Sequence, residues 1–260
     1  MTAWALVTGA SSGIGLEFAR ILAREGYSLV IAARRLERLQ ELATNLKELY
    51  SVEVQPIESD LSSSDGAAEL YRSVREREIV PKVLVNNAGI GDLGDFAEMD
   101  IERLVSMIEI NCVSLAHLTR LFLPEMIARG GGRILNVSSA AAFQPGPYMA
   151  AYYASKAFVQ SLSEALSEEL ADRGVTVTAL CPGPTRSEFQ ESARMDTEKY
   201  FAKPGIPTAQ EVAEYGYSSM VKGKRVAIHG FRFKLLLLLT RFLPRRAVVF
   251  AVSWLQQSRR

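Results

Sequence analysis

The amino terminus of the chain reads Trp4-Ala5-Leu6-Val7-Thr8-Gly9-Ala10-Ser11-Ser12-Gly13-Ile14-Gly15. Residues 4–8 form a short apolar run, and residues 14–24 continue with the periodicity of an amphipathic helix. Glycines permit a tight turn and let backbone N–H groups approach a pyrophosphate at a helix N-terminus. The stretch therefore predicts a strand, a nucleotide-binding turn and a helix. A glycine-rich turn without a ligand is the alternative.

The alternation of strand and helix continues along the chain. Short runs of apolar and β-branched residues recur at 28–33, 52–57, 83–86, 133–137, 175–180 and 225–229. Such runs are typical of strands buried on both faces of a parallel sheet. Helical periodicity separates them, for example over 101–129 and 150–173. We predict an α/β fold, a Rossmann-type doubly wound parallel sheet of about seven strands, with ligands at the carboxyl ends of the strands.

The composition is that of one globular unit. The chain has 260 residues, 48% hydrophobic and 23% charged, and we expect a single catalytic domain over 1–230 and a C-terminal helical extension over 231–260. Cys112 and Cys181 lie far apart and only two histidines are present, so no metal site is expected. No basic residue precedes Arg20 and no apolar run reaches about 18 residues, so we expect a cytoplasmic protein without a secretory signal.

Two arginines follow the second predicted strand. NAD sites usually place an acid there to hold the ribose hydroxyls, whereas this chain has Arg34 and Arg35. Guanidinium groups match phosphate oxygens in a forked geometry, so the pair favours the 2′-phosphate of NADP(H) over NAD. The alternative is that both arginines are solvated at the start of the next helix.

A tyrosine and a lysine share one face of the predicted helix over 150–173. Tyr152 and Lys156 are four residues apart, whereas Tyr148 and Tyr153 have no lysine at that spacing. A phenol has a reference pKa near 10, so an adjacent ammonium is needed to make it a useful acid or base near neutral pH. The pair predicts proton transfer by Tyr152.

These features together resemble the short-chain dehydrogenase/reductase family, over about residues 3–230. The signatures occur in family order: Thr8-Gly-x-x-x-Gly-Ile-Gly15, Asn86-Asn87-Ala88-Gly89, Asn111, Asn136-Val137-Ser138-Ser139, Tyr152-x-x-x-Lys156 and Pro182-Gly183. The resemblance implies an oxidoreductase that interconverts a carbonyl and an alcohol. Ser12 stands where many NADP-dependent members have a basic residue, so the NADP preference rests on Arg34 and Arg35.

The resemblance implies four catalytic roles. Tyr152 would protonate the substrate oxygen, and Lys156 would lower the pKa of Tyr152 and hold the nicotinamide ribose. Ser139, rather than its neighbour Ser138, would hydrogen-bond the substrate oxygen. Asn111 would bind a water that relays protons between Lys156 and solvent, although a satisfied core Asn is the alternative.

The resemblance also implies a set of cofactor contacts. Asp60 resembles the family's adenine-binding acid, but it fits the N-terminal cap of the following helix equally well. Pro182, Gly183 and Thr185 match the stretch that orients the nicotinamide carboxamide. The full set is Thr8, Gly9, Ser11, Ser12, Gly13, Ile14, Gly15, Arg34, Arg35, Asp60, Leu61, Asn87, Ala88, Gly89, Tyr152, Lys156, Pro182, Gly183 and Thr185.

The expected substrate pocket is apolar. Its rim is predicted at 90–96, at 140–149 and in a lid over about 185–210. A plain surface excursion is the alternative for this last segment. A hydrophobic ketone or aldehyde is the predicted substrate, and NADPH favours reduction; the alternative assigns the apolar side chains to the core. Those side chains are Phe143, Pro145, Tyr148, Met149, Phe189 and Phe201.

The C-terminal segment is basic and apolar. Residues 222–260 hold ten Lys and Arg and no acid, whereas the residues before them hold 20 basic and 29 acidic side chains. Two short helices meeting near Pro244 are predicted. They suit either a membrane interface or packing on the domain or another subunit. Interleaved leucines argue against nucleic acid as the partner.

Two further functions and an assembly follow from the same features. A catalytically silent nucleotide sensor or scaffold is one alternative to the enzyme, and a membrane-surface adaptor acting through the C-terminal extension is another. By resemblance to the family we expect a homodimer or homotetramer. It would use the two long helices that carry Asn111 and Tyr152.

Overall fold

A computed structural model describes residues 3–197, 205–240 and 242–257, without the side chain of Arg232. Seven parallel strands form one sheet in the order β3-β2-β1-β4-β5-β6-β7. The strands are β1 (Trp4–Thr8), β2 (Ser28–Ala33), β3 (Val54–Glu58), β4 (Val83–Asn86), β5 (Gly132–Val137), β6 (Val175–Cys181) and β7 (Val226–Ile228). The predicted doubly wound sheet in a single domain is confirmed.

Helices connect the strands on both faces. They are α1 (Gly13–Arg24), α2 (Leu36–Tyr50), α3 (Gly66–Arg75), α4 (Ile101–Ile108), α5 (Ser114–Ala128), α6 (Ala150–Glu169), α7 (Phe189–Ser192), α8 (Ala209–Val221), α9 (Phe231–Thr240) and α10 (Arg245–Gln257). The strand order reverses between β1 and β4, and the crevice at such a switch point is the usual ligand site of an open α/β sheet.

The core lies in two layers, one on each face of the sheet. Val7 of β1 packs with Phe18 of α1 on one face. Leu6, the neighbour of Val7, packs with Phe122 of α5 on the other face. All four side chains are fully buried, and each contributes about 1.5–3 kcal/mol relative to an exposed side chain. Because both faces are covered, the strands read as continuous apolar runs.

The helix predicted over 101–129 contains an irregular turn. A π-helical segment, Glu109–Val113, joins α4 to α5 and holds Asn111. The combined stretch Ile101–Ala128 is the one helix among the described residues with the length and hydropathy to cross a membrane. Leu118 and Phe122 from this stretch are fully buried in the sheet core, which accounts for its apolar character.

The two predicted C-terminal helices are α9 and α10, separated around Pro244. Val248 and Val252 of α10 are buried against Met149 and Tyr153 of the catalytic domain. Packing on the domain, one of the two alternatives, therefore occupies the inner face of α10.

The predicted lid over about 185–210 is described at 185–197 and 205–210, so Phe201 lies outside the described residues. The described part contains α7 and is held to the loop after β4. The amide of Leu93 donates to the carbonyl of Ala193 at 3.0 Å. Arg103 donates to the carbonyls of Gly91, at 2.9 Å, and of Ser192.

Buried amide side chains join the central strands to α6. The Nδ2 of Asn86 donates to the Oδ1 of Asn136 at 2.9 Å, and the Nδ2 of Asn136 donates to the Oγ of Ser163 at 2.9 Å. Asn136 is fully buried. A buried polar group that loses its partner costs about 1–3 kcal/mol.

We expect Asn136→Ala to lower the free energy of unfolding by about 2–3 kcal/mol, because Asn86 and Ser163 each lose a buried partner. Urea unfolding followed by circular dichroism measures the change. Asn45→Ala on the exposed face of α2 is the matched control and should change stability by less than about 0.5 kcal/mol. Equal losses of stability at both positions would contradict the stabilising role of the buried hydrogen bonds of Asn136.

Candidate active site

A cleft of about 920 Å³ opens at the carboxyl ends of the strands. Most of the side chains and glycines predicted for the site line this cleft, although they come from distant parts of the sequence. They are Gly9, Ser11, Ser12, Gly13, Ile14, Arg34, Arg35, Asp60, Leu61, Asn87, Ala88, Gly89, Ser139, Tyr152, Lys156, Pro182, Gly183 and Thr185.

Three predicted residues, Thr8, Gly15 and Asn111, lie behind the cleft wall instead of lining it. The Oγ1 of Thr8 accepts hydrogen bonds from the amides of Asn87, at 3.0 Å, and of Ala88, at 3.1 Å. A Cβ on Gly15 would lie 2.4 Å from the carbonyl oxygen of Gly9. Thr8 and Gly15 therefore shape the glycine loop from behind.

The end of β2 forms a basic corner of the cleft. Arg35 donates to the hydroxyls of Ser11, at 3.0 Å, and Ser12, at 2.9 Å. It also pairs with Glu188 at 2.8 Å, and Arg38 pairs with the other oxygen of Glu188 at 2.7 Å. Hydrogen bonds from Arg35 and Arg38 lower the pKa of Glu188.

Sequence reasoning missed Arg38 and Glu188. Arg38 follows Arg35 by three residues on α2, so helical spacing was an available signal for it. Glu188 comes from the lid, 150 residues further along the chain, and no local pattern points to it.

Asp60 lines the cleft and is not the cap of the following helix. The N-cap position of α3 belongs to Asp65, so that alternative for Asp60 was wrong. The Oδ1 of Asp60 accepts from the hydroxyl of Ser62 at 2.6 Å and from its amide at 3.0 Å. These bonds, with a smaller contribution from Arg34, lower the pKa of Asp60.

Ser139, Tyr152 and Lys156 line the same cleft. Ser139 follows β5 and its Oγ accepts from the amide of Ala141 at 3.1 Å. Tyr152 and Lys156 lie one turn apart in α6, and the Nζ of Lys156 is 5.8 Å from the centre of the Tyr152 ring. Ser138 uses its hydroxyl differently, because its Oγ donates to the carbonyl of Lys156 at 2.8 Å.

Lys156 is a buried cation, with only 4% of its surface exposed. Its Nζ donates to the carbonyl of Val137 at 2.9 Å. Burial lowers the pKa of Lys156 to about 8, because the charged form is poorly solvated there. The side chain therefore changes charge close to neutral pH.

Asn111 lies beside Lys156 but is fully buried. Its Nδ2 donates to the carbonyl of Ile90 and to the Oγ of Ser155, both at 2.9 Å, and its Oδ1 accepts from the amide of Ile90 at 3.0 Å. A Cβ on Gly89 would lie 3.0 Å from the Oδ1 of Asn111 and 3.3 Å from the Nζ of Lys156. Glycine at position 89 therefore lets the two polar side chains approach each other.

The rest of the cleft is mainly apolar, and the C-terminal helices supply part of it. Of the predicted apolar side chains Met149 and Phe189 line it, whereas Phe143, Pro145 and Tyr148 do not. Further lining residues, which sequence reasoning missed, are Tyr153, Phe233, Leu236, Leu237, Leu255 and Gln256, and Met195 lines the cleft from the predicted lid.

Two contacts attach the C-terminal helices to the site. A Cβ on Gly183 would lie 2.9 Å from the ring of Phe233, so α9 packs directly on the predicted carboxamide-binding stretch. The Nε2 of buried Gln256 donates to the phenol of Tyr153 at 2.7 Å. Val248, Val252 and Gln256 share one face of α10, and this four-residue spacing was the signal available in the sequence.

A glycine loop beside a basic corner, and a tyrosine beside a buried lysine, are the two halves of a nucleotide-dependent oxidoreductase site. A sequence profile of the family described as short chain dehydrogenase matches residues 3–198. The chain belongs to this family of oxidoreductases, and the predicted resemblance is confirmed.

Individual relatives are similar over most of the chain. Hydroxysteroid dehydrogenase-like protein 1 of Gallus gallus is 33% identical over 85% of this chain and 66% of its own length. Very-long-chain 3-oxoacyl-CoA reductase of Rattus norvegicus is 37% identical over 79% of this chain and 67% of its own length. The chain thus spans about two thirds of these curated relatives.

Among solved structures, a short-chain dehydrogenase from Sphingobium yanoikuyae in complex with NADPH is 32% identical, with a TM-score of 0.82. The match covers 92% of this chain and 94% of that chain. The arrangement of strands and helices is therefore shared over nearly the full length.

The lowered pKa of Lys156 predicts a pH-dependent stability. Between about pH 8 and 10.5 the unfolded chain binds a proton at Lys156 that the native state does not, so native stability rises with pH over this window. Lys156→Met removes the buried ammonium, so the variant should have the larger free energy of unfolding near pH 7.5. We expect the difference in the free energy of unfolding between the variant and the wild type to shrink by about 3 kcal/mol as the pH approaches 10.5.

Urea unfolding at pH 7.5, 9 and 10.5 measures this difference. Lys222→Met, at an exposed position after α8, is the matched control and should track the wild type at every pH. A pH-independent difference between Lys156→Met and the wild type would show that Lys156 stays charged throughout.

Proposed function

We propose that the protein is an NADP(H)-dependent reductase that converts a hydrophobic ketone or aldehyde into an alcohol. The observation that carries the proposal is the meeting of Ser139, Tyr152 and Lys156 with the glycine loop in one cleft. A sensor or scaffold without catalytic activity has no need of such a convergence.

The residues of the cleft fit a dinucleotide with a 2′-phosphate. Gly9 and Gly13 have φ values of 65° and 55°, which let the loop expose its backbone to a pyrophosphate. Arg35 and Arg38 already hold the carboxylate of Glu188, an anion in the place where a 2′-phosphate would be recognised. One structural relative was solved with NADPH and another with NAD, so the proposed preference for NADP(H) rests on the basic corner.

The chemistry divides between the cofactor and the chain. When bound, NADPH supplies the hydride. Ser139 orients the substrate oxygen by a hydrogen bond, and Tyr152 donates the proton that completes the alcohol. Lys156, held by the carbonyl of Val137, keeps a positive charge near the Tyr152 ring. Asn111, whose amide group is hydrogen-bonded to the backbone of Ile90, is the residue proposed to take part in returning a proton to the site.

The substrate side favours a large apolar molecule. Met149, Phe189, Met195, Leu237 and Leu255 line it, and apolar burial supplies most of the binding energy in such pockets. The names of the two curated relatives refer to a steroid-type and a very-long-chain acyl substrate, and both are bulky and hydrophobic. Reduction is the proposed direction.

A homodimer or homotetramer is the proposed assembly. The helices carrying Asn111 and Tyr152 present exposed apolar side chains that a second copy would cover. They are Ile101, Val105, Ile108, Val113 and Phe158.

We expect Tyr152→Phe to lower the rate of NADPH oxidation with apolar ketones by about 10²–10⁴-fold, because the proton donor is lost. NADPH affinity, measured by its fluorescence on binding, should stay within about threefold of the wild type, because Tyr152 is only one of many predicted cofactor contacts. Tyr50→Phe on α2 is the matched control and should retain full activity. Tight NADPH binding by the wild type without turnover of any carbonyl would favour the sensor.

Cofactor preference should depend on the basic corner. We expect Arg35→Ala/Arg38→Ala to weaken NADPH binding by about 10–100-fold and NADH binding by less than about threefold, since only NADPH carries the 2′-phosphate. Titration of each cofactor measures both affinities.

The same titration tests whether the carboxylate of Glu188 competes with the 2′-phosphate for Arg35 and Arg38. Glu188→Gln should strengthen NADPH binding about two- to fivefold, because exposed ion pairs of this kind are worth little and must be broken for the phosphate to bind. Glu41→Gln, at an exposed position of α2 that does not line the cleft, is the matched control and should have no effect. Equal effects of the arginine changes on NADPH and NADH would contradict the 2′-phosphate site.

A further inference from the structure

Residues 231–254 carry nine large, exposed apolar side chains, here called the tail surface. Of the five consecutive leucines in α9 only Leu237 is buried, at 4% exposure, whereas Leu236 and Leu239 are 55% and 51% exposed. The tail surface consists of Phe231, Leu235, Leu236, Leu238, Leu239, Phe242, Leu243, Phe250 and Trp254. Soluble single chains rarely expose so many large apolar groups together, so the surface requires a partner.

Packing on the domain does not explain the tail surface. In α10 the buried side chains Val248 and Val252 share one face, whereas Phe250 and Trp254, 75% and 69% exposed, lie four residues apart on the opposite face. The inner face thus makes the buried contacts that hold α10 against the catalytic domain. Phe250 and Trp254 leave most of their surface to solvent, so that packing leaves most of their apolar area uncovered.

Positive charge borders the tail surface. Lys234 in α9 and Arg245 and Arg246 at the start of α10 are exposed. Residues 222–260 contain ten basic side chains and no acid. A surface of Leu, Phe and Trp flanked by Lys and Arg complements the acyl chains and headgroups of an anionic lipid layer.

A second copy of the chain fits this surface less well. In a two-fold interface the same patch faces itself. Because residues 222–260 carry no acid, such an interface would bring the basic side chains of the two C-terminal segments together without an acid from either segment.

We propose that the tail surface binds the interface of an anionic lipid membrane, with Phe242, Phe250 and Trp254 inserted among the acyl chains. Leu236 is exposed on this surface and also lines the catalytic cleft, and Leu255 lines the cleft from α10. The bound lipid layer therefore adjoins the apolar end of the cleft. If the cleft reduces a hydrophobic carbonyl as proposed above, that substrate passes from the lipid into the site without crossing water.

Vesicle flotation with the full chain tests the binding without any assay of activity. We expect binding to vesicles of phosphatidylcholine with 30% phosphatidylserine to exceed binding to phosphatidylcholine alone by about tenfold or more at low salt, and to fall at 0.5 M salt. Phe250→Glu/Trp254→Glu should lower the bound fraction at least tenfold, because both side chains are exposed and the change places acid in the interface.

Leu49→Glu, at a 72% exposed leucine of α2, is the matched control and should bind vesicles like the wild type. Light scattering of the same proteins tests the competing explanation, which is that a second copy of the chain covers the tail surface. Failure of the wild type to float with the anionic vesicles, or equal binding to both lipid compositions, would overturn the proposal. So would a Phe250→Glu/Trp254→Glu protein that dissociates into smaller particles while binding vesicles unchanged.

Discussion

The hydroxyl of Thr8 links the two central strands of the sheet. It accepts hydrogen bonds from the amides of Asn87 and Ala88, which connect the end of β1 to the end of β4 where the order of strands reverses. The glycine loop and the loop that carries Gly89 are thereby fixed side by side. Every other component of the site is placed relative to this junction, because a parallel sheet brings all its carboxyl ends to one edge.

Burying the ammonium of Lys156 destabilises the folded protein, and the surrounding structure compensates for part of this cost. Taking an ammonium out of water is unfavourable, as its lowered pKa indicates, and one carbonyl, that of Val137, offsets part of the cost. The absence of a side chain at Gly89 leaves room for Lys156 and Asn111 to meet. The π segment turns Asn111 toward the backbone of Ile90, so an irregular helix serves the site where a regular α-helix was expected.

Residues 185–197 and the C-terminal helices complete the cleft from opposite ends. Glu188 pairs with Arg35 at the basic corner, while Phe233 packs against Gly183 at the other end. The C-terminal helices thus have two roles, because some of their side chains build the cleft wall and others form the exposed tail surface. Their buried contacts with Met149 and Tyr153 make them part of the catalytic unit.

The sequence by itself determined the sheet, the glycine loop and the pairing of Tyr152 with Lys156, because each depends on residues close together in the chain. Hydrophobic periodicity reports burial, and a four-residue spacing reports a shared helical face. Only the tertiary structure decided that Glu188 meets Arg35 and Arg38, and that Gln256 reaches Tyr153 across 103 residues. Such contacts depend on how folded helices and strands pack against each other. Neither the spacing nor the composition of a local segment carries that information.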